Sequence, residues 1–416
     1  MPAATAEAGI DYAARFAELD AWLHEHQALW RARPFTTPIL PWEAELPELA
    51  AWLRSRTLEQ AEAAHNQPHR LAAPEPYATL ARQAYELTQL PNWSRATSAK
   101  IPERLTRHIP GRKWQQITRF ADCTTHQWQQ SPGEWLDWCA GKGHLGRLLA
   151  WQGGQPLLCL EHDASLNRAG EALGAEIGID SRHVDTDVLT PAAWQWLQPQ
   201  HSVVALHACG QLHMTLLQQA ATRGCTQIAI SPCCYNRIDS REYQPLSVAA
   251  RKARLRLSRD DLGLPLQESI TAGQRVRRLR DQSMAWRLAF DLWQREARGI
   301  DHYLPTPSRP ESALSQGIAP FCRDLAAHHD LQLTEPDSWE QLEHRGWRRL
   351  AQVRNLELLP GLFRRPLEIW LLLDRALYLQ EAGYQVRLGQ FCEYQLTPRN
   401  LLLSAEKIRP QSAPML

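Results

Sequence analysis

From about residue 133 the chain repeats one unit, a short apolar run followed by about ten to fifteen residues with helical spacing. "EWLDWC", "PLLCLEHD", "SRHVDTDVL", "HSVVALHACG" and "TQIAISPCCY" are the apolar runs; a stretch from about 164 to 176 and "QLHMTLLQQAATRG" are two of the helices between them. Strands separated by helices cannot pair as hairpins, so this alternation dictates an α/β fold with a parallel, doubly wound sheet. Such strands are buried on both faces, which accounts for their lack of period-two alternation.

The rest of the chain is arranged around this block. Residues 1–100 read as a helical region, with "DYAARFAELDAWLHEH" and "WEAELPELAAWLRSRTLEQAEAA" placing apolar residues at three- and four-residue intervals. Residues 101–240 form the expected cofactor-binding core, entered through a stretch with prolines at 91, 102 and 110. Residues 241–365 read as an Arg-rich helical insertion, broken at "LPTPSRP". Residues 366–416 supply a last helix, "PLEIWLLLDRALYLQEAG", bounded by proline and glycine, then two strand-like runs, "YQVRLGQFCEY" and "NLLLSAEKI". The first of this pair is expected to run parallel to the other strands.

Several classes are excluded. The opening residues lack a basic start and an apolar core, so no signal peptide is expected. No run reaches the roughly 18 apolar residues of a membrane span, and no membrane partner is expected. Nine scattered cysteines fit a reducing cytoplasm better than a disulfide framework. The net charge of +1 gives no global case for nucleic acid, although "ARKARLRLSR" and "QRVRRLR" concentrate positive charge.

"LDWCAGKGHLG" contains a literal G-x-G-x-x-G at Gly141, Gly143 and Gly146, the dinucleotide fingerprint. Asp137, four residues before Gly141, decides against NAD. A strand-end carboxylate would repel the pyrophosphate that NAD places at the following helix N-terminus. S-adenosylmethionine (SAM) instead brings an ammonium and a sulfonium, which favour that carboxylate. Asp137, Cys139, Gly141 and Gly143 give the methyltransferase pattern D-x-G-x-G-x-G with cysteine in place of its first glycine; His144 and, beyond a later strand, His207 are expected to bind the cofactor with them, and Lys142 lies in the same turn as the glycines. Glu161, about 20 residues past the glycines, suits two ribose hydroxyls. Asp187 suits the adenine amino group, with Asp185 its close competitor.

The reacting end of a doubly wound sheet lies beyond the carboxyl ends of its strands. Two loops there carry chemistry, "HACGQLH" and "SPCCYN". Cys209 and Cys233 pack as small hydrophobes in one reading while the histidines cap helices. In a second, His207, Cys209, Cys233 and Cys234 hold a metal, although the spacing matches no familiar zinc module. In the third, His207 or a cysteine positions an acceptor, and the Pro-Cys step raises covalent attack on a pyrimidine ring. The expected acceptor pocket takes His207, Cys233, Cys234, Tyr235 and Lys142 as catalytic residues, with Lys113, Asn236, Arg399 and Asn400 binding substrate and no metal. Trp114 and Trp138 are candidates for stacking on a base.

"DWCAGKGHLG", "ALHACGQLH" and "SPCCYN" together resemble the group containing methyltransferase-like protein twenty-five and the glutathione S-transferase C-terminal-domain-containing protein. The resemblance runs from Lys113 to the C-terminus, taking in "GRKWQQI", "RRPLEIWLLLDRALYLQEAGYQV" and "TPRNLLLSAEK". The core is also similar to the eukaryotic tRNA acceptor-stem 2′-O-methyltransferase; Asn236 stands where relatives often carry histidine. The resemblance implies a seven-stranded, Rossmann-like class I methyltransferase sheet and a SAM-dependent enzyme. It implies RNA (tRNA or rRNA) as acceptor, ahead of protein. The competing readings are a SAM-binding scaffold without catalysis and, further off, an NAD-dependent oxidoreductase.

Overall fold

A computed structural model describes residues 10–94, 101–107, 109–267 and 274–408, and the chain divides into two compact units. The first comprises Met1–His24, Leu87–Leu266 and Pro366–Leu416; the second comprises Glu25–Glu86 and Gln267–Arg365. These lines differ from the expected four-part order. Residues 10–24, 87–94 and 241–266 belong with the sheet, while the rest of the described N-terminal region and insertion jointly supply most of the second unit. The ends of the expected N-terminal region, 1–9 and 95–100, lie outside the described residues.

The first unit holds a seven-stranded sheet in the order β3-β2-β1-β4-β5-β7-β6. Its strands are β1 (Glu134–Trp138), β2 (Leu157–Glu161), β3 (Ser181–Asp185), β4 (His201–Leu206), β5 (Gln227–Ser231), β6 (Tyr384–Gln390) and β7 (Leu401–Lys407). The first five are parallel, and β7 is antiparallel to both β5 and β6. β6 therefore runs with the first five, as expected. Every residue of β2 and β5 is buried, as a strand covered on both faces requires. The helices Gly111–Gln127, His144–Gly153, Ala164–Ala175 and Gln211–Arg223 accompany the sheet, and Phe120, Trp135, Leu148, Cys159, Val204 and Leu402 lie in one apolar core.

The order reverses between β1 and β4, which pair side by side with Asp137 opposite Val204. That switch point is where an open α/β sheet leaves a crevice for a ligand.

Buried polar groups tie the remaining segments of this unit together. Asp20 accepts from Trp370 Nε1 (3.2 Å) and from the backbone N–H groups of Arg254 (2.8 Å) and Leu255 (3.2 Å). Asp374 accepts from Tyr243 Oη and from the N–H groups of Leu246 and Ser247. Arg375 Nε donates to His213 Nε2 at 2.8 Å, and His213 Nδ1 reaches the Ala208 carbonyl at 3.1 Å. This relay requires a neutral His213, and burial holds its pKa well below the ordinary value.

"ARKARLRLSR" is not the solvated helix that its charge suggests. Helix covers only Val248–Arg251. Beyond it Ala253, Leu255 and Leu257 are buried and Arg254 and Arg256 are exposed, a period of two. Glu242 and Ser258 form an antiparallel bridge, and Arg259 N–H donates to the Arg241 carbonyl (2.8 Å).

The second unit is helical, built on the helices Gln274–Arg298, Ile318–His328 and Trp339–Leu356 around Trp286, Phe290, Phe321 and Leu325. Gly346 permits a close helix crossing: a Cβ there would lie 2.4 Å from the Ala285 carbonyl oxygen. Among the described residues no helix is long and apolar enough to cross a membrane.

Candidate cofactor and acceptor site

β1 ends at Trp138, and the next residues turn sharply into the His144–Gly153 helix. Cys139, Gly141 and Gly143 all have left-handed backbones, with φ of 57°, 58° and 65°. Cys139 thus occupies the conformation that the pattern's first glycine would supply, at a strain of about 1–2 kcal/mol. Of the cysteines in the apolar runs "EWLDWC", "PLLCLEHD" and "HSVVALHACG", Cys159 lies within its strand, while Cys139 and Cys209 lie just past theirs. A Cβ on Gly141 would meet nothing within 4 Å, so open space lies beside this backbone. Gly146 does the opposite: a Cβ there would come within 2.5 Å of Leu157 Cδ1 and 3.1 Å of Asp137 Cβ. The third glycine therefore sets how closely helix and strand pack.

Asp137 is buried and accepts from Gly146 N–H at 2.9 Å. Burial pushes its pKa up to about 7, against the Gly146 hydrogen bond and the nearby Arg147 and Lys113 charges. A cationic ligand would hold it ionised. Glu161 closes the other side, accepting from Gly141 N–H (2.9 Å) through Oε2 and from His162 and Asp163 N–H through Oε1. Asp185 Oδ1 accepts from Asn167 Nδ2 at 2.5 Å. Asp187 is exposed beyond β3 and accepts from Leu189 N–H. Both carboxylates are exposed and each accepts one hydrogen bond within the protein, Asp185 at the end of β3 and Asp187 on the loop beyond it.

Arg147 was missed by sequence reasoning. It is buried beneath the turn, donating to the Lys142 carbonyl and, through Nη2, reaching His144 Nδ1 at 2.6 Å. The available signal was an arginine on an otherwise apolar helix start. Lys142 is half-buried between the two glycines, and His144 is buried at the helix start.

Past β4, His207 has φ of 72°. It and Cys139 are two of three non-glycine residues with positive φ among the described residues, and they sit at the ends of the two strands flanking the switch point. His207 Nε2 meets Gln116 Oε1 at 3.0 Å, and Gln116 Nε2 donates to the Leu396 carbonyl. Burial and the Lys113 charge lower the His207 pKa, so the ring is neutral. Gln116 was not anticipated; it lies one helical turn from Lys113, which is exposed.

The two cysteine loops meet. Cys209 Sγ and Cys233 Sγ are 3.1 Å apart, Cys233 Sγ and Cys234 Sγ are 3.6 Å apart, and all three sulfurs lie within 4.8 Å of one another. His207 is not part of this cluster, because its ring turns to Gln116. Cys209 and Cys233 are close enough to share a proton; this proximity draws the Cys209 pKa down to about 6 and pushes that of Cys233 up. Of the three, Cys209 is the thiol shifted toward ionisation, whereas Cys233 and Cys234, the cysteines expected in the acceptor pocket, are shifted the other way.

Other expected acceptor residues are placed less directly. Tyr235 is buried, with its ring 5.3 Å from the Arg375 guanidinium carbon and edge-on to His213. Asn236 is half-buried beside it. Arg399 accepts through its carbonyl from Ser231 Oγ (3.3 Å), at the carboxyl end of β5. Asn400 ties the closing loop, donating to the Cys392 carbonyl and Gln390 Oε1. Trp138 cannot stack on a base: it is fully buried and donates to the Leu212 carbonyl. Trp114 is half-buried against the core.

Residues 112–241 match the family model described as a methyltransferase domain. No curated protein matches the chain. Similar solved structures include a geranyl diphosphate methyltransferase with GPP and sinefungin (17% identity, 29% of this chain and 46% of that one, TM-score 0.25). The ribosomal protein L11 methylase of Lactobacillus delbrueckii subsp. bulgaricus is another (20% identity, 28% and 59%, TM-score 0.24). A third is a SAM-dependent methyltransferase from Clostridium acetobutylicum ATCC 824 (9% identity, 27% and 49%, TM-score 0.23). The chain spans about half the length of these structures, and likenesses this partial add no weight to the family match. The open glycine turn, with carboxylates at the ends of β1 and β2, fits SAM. The matched stretch, 112–241, carries the first five strands of the seven-stranded sheet together with this turn and both carboxylates.

Proposed function

We propose that the whole protein is a SAM-dependent methyltransferase acting on RNA, within the group that its loop motifs resemble. The observation that carries the acceptor class is the basic row that continues from the cysteine loop. Arg237, Arg241, Arg251, Lys252, Arg254, Arg256 and Arg259 are all exposed, with the apolar residues between 253 and 257 turned inward. These seven exposed cations outnumber the three exposed acids of the same segment, Asp239, Glu242 and Asp260, a balance that suits a phosphate backbone. Lys113 acts on both Asp137 and His207 electrostatically, so a positive charge also stands at the site itself.

When bound, SAM supplies a methyl group on a sulfonium, already a good leaving group. The protein's task is then to position the acceptor in line. Asp137, Gly141, Gly143, Glu161 and Asp187 hold the cofactor. His207, kept neutral and oriented by Gln116, and Cys209 face the acceptor, and Lys113 meets a phosphate or orients a hydroxyl. Nine free cysteines support a reducing compartment, the cytoplasm.

The test uses the full chain, tritiated-methyl SAM and extract from cells lacking the protein, with Asp137→Ala as control. Label that RNase removes, and that the variant does not incorporate, supports the reading. Label that resists RNase and is lost with protease makes the acceptor protein. No transfer despite SAM binding makes the protein a scaffold.

A further inference from the structure

The geometry points to a metal site: we propose that Cys209, Cys233 and Cys234 bind one zinc ion as three thiolates, with a fourth position open toward the acceptor side. This goes beyond the proposed activity and reverses the expectation of a metal-free site.

The argument starts from the convergence of three sulfurs. Two come from neighbours in sequence and the third from a loop 24 residues away, yet all lie within 4.8 Å of one another, with two separations of 3.1 and 3.6 Å. In a tetrahedral site with Zn–S of about 2.3 Å, sulfurs stand about 3.8 Å apart, so small side-chain movements complete the triangle. Thiols do little for one another, since S–H is a weak donor and sulfur a weak acceptor. A disulfide between Cys209 and Cys233 would use two and leave the third unexplained.

The scaffold holds the triangle before any ion arrives. Gly210 lies so close to the crossing chain that a Cβ would come within 1.9 Å of the Arg237 carbonyl oxygen, and Gln211 N–H donates to that same oxygen at 2.8 Å. The Arg375–His213–Ala208 relay fixes the residue just before Cys209. The loops are therefore tied together on both sides of the sulfurs. Thiolate donors select soft or borderline cations, and zinc is the common tetrahedral one. Three thiolates with Zn²⁺ leave one negative charge, which the nearby Arg237 guanidinium offsets. Cys209 and Cys234 are half-exposed while Cys233 is buried, so the vacant corner of the tetrahedron faces outward. Three protein ligands with one open position is the arrangement of catalytic rather than structural zinc.

The test titrates the reduced, chelator-stripped full chain with Co²⁺ under anaerobic conditions, then displaces it with Zn²⁺. Sulfur-to-cobalt charge transfer in the near ultraviolet and intense tetrahedral bands are expected, saturating at about one equivalent. Cys209→Ser and Cys234→Ser should lose the charge-transfer band, and Cys322→Ser, in the second unit, should keep it. SAM binding by each variant checks that the fold survives, and the wild-type spectrum decides even where a variant fails to fold. Three results overturn the proposal: no charge-transfer band in the wild type, a band unchanged in both loop variants, or loss of two free thiols to a disulfide with no metal taken up. None of these readouts depends on methyl transfer, so failure here is distinct from failure of the RNA reading.

Discussion

Cys139 shows at a single position what the site demands of its backbone. Its φ of 57° is one that a side chain occupies at about 1–2 kcal/mol of strain, while glycine there would lose about 0.5–1 kcal/mol more in unfolded-state entropy. Cys139→Gly is therefore expected to raise stability by roughly 0.5–1 kcal/mol in urea unfolding and to preserve SAM affinity. The residue is no nucleophile, because burial and the Glu161 and Asp137 charges push its thiol pKa up. Asp137 sets the pH dependence. Its pKa is raised from an ordinary 3.8 to about 7, so the folded apo protein binds the extra proton between those values. The group's contribution therefore favours folding below about pH 4 and is lost as pH rises through about 7. SAM affinity moves the other way, falling up to about tenfold per pH unit below 7, since the cation needs the carboxylate. Calorimetric titration across pH checks this, and Asp137→Asn should flatten the profile.

At the scale of elements, the helix entered through Gly146 is the sensitive joint. Gly146→Ala pushes a methyl group against Leu157 and Asp137 in a packed core, a cost of about 1–3 kcal/mol, and shifts the carboxylate that meets the cofactor. Thermal unfolding should drop and SAM affinity should weaken together; unchanged affinity would mean that the Asp137–Gly146 spacing is irrelevant to binding. The strands were legible because burial on both faces leaves continuous apolar runs such as "LLCLE" and "QIAIS". The glycine turn and its two carboxylates were legible because spacing along one strand–turn–helix unit is a local property. The cysteines of the triangle could be named as one of three readings, with His207 wrongly among them, but their meeting could not be read, since it depends on how two loops 24 residues apart approach across the β4–β5 pair. Gln116 and Arg147 escaped notice for a related reason: each acts through a backbone or ring that only the fold brings near. The segment around Arg254 misled through its charge, although "ALL" at positions 253, 255 and 257 already alternates as a non-helical stretch should.

For the whole molecule, the net charge of +1 hides an uneven distribution. Exposed cations gather on the segment between Arg237 and Arg259, within the unit that carries the sheet. If that row tracks a phosphate backbone, replacing Arg241, Arg254 and Arg256 with glutamine should lower RNA affinity and reduce the slope of log affinity against log salt by about 2–3. SAM affinity should stay constant, and an unchanged slope would remove the row from the acceptor path. The composition of the second unit was also unreadable in advance. Residues 25–86 and 267–365 read as two separate helical regions because nothing local joins segments so far apart in the chain.

The most direct measurement of the central claim is calorimetric titration of the full chain at pH 8 with SAM and, separately, with NAD. The site described here predicts saturable SAM binding, loss of at least tenfold in affinity in Asp137→Ala and in Glu161→Ala (about 1.4 kcal/mol or more), and no NAD binding. NAD binding without SAM binding, or SAM affinity indifferent to both substitutions, would contradict it.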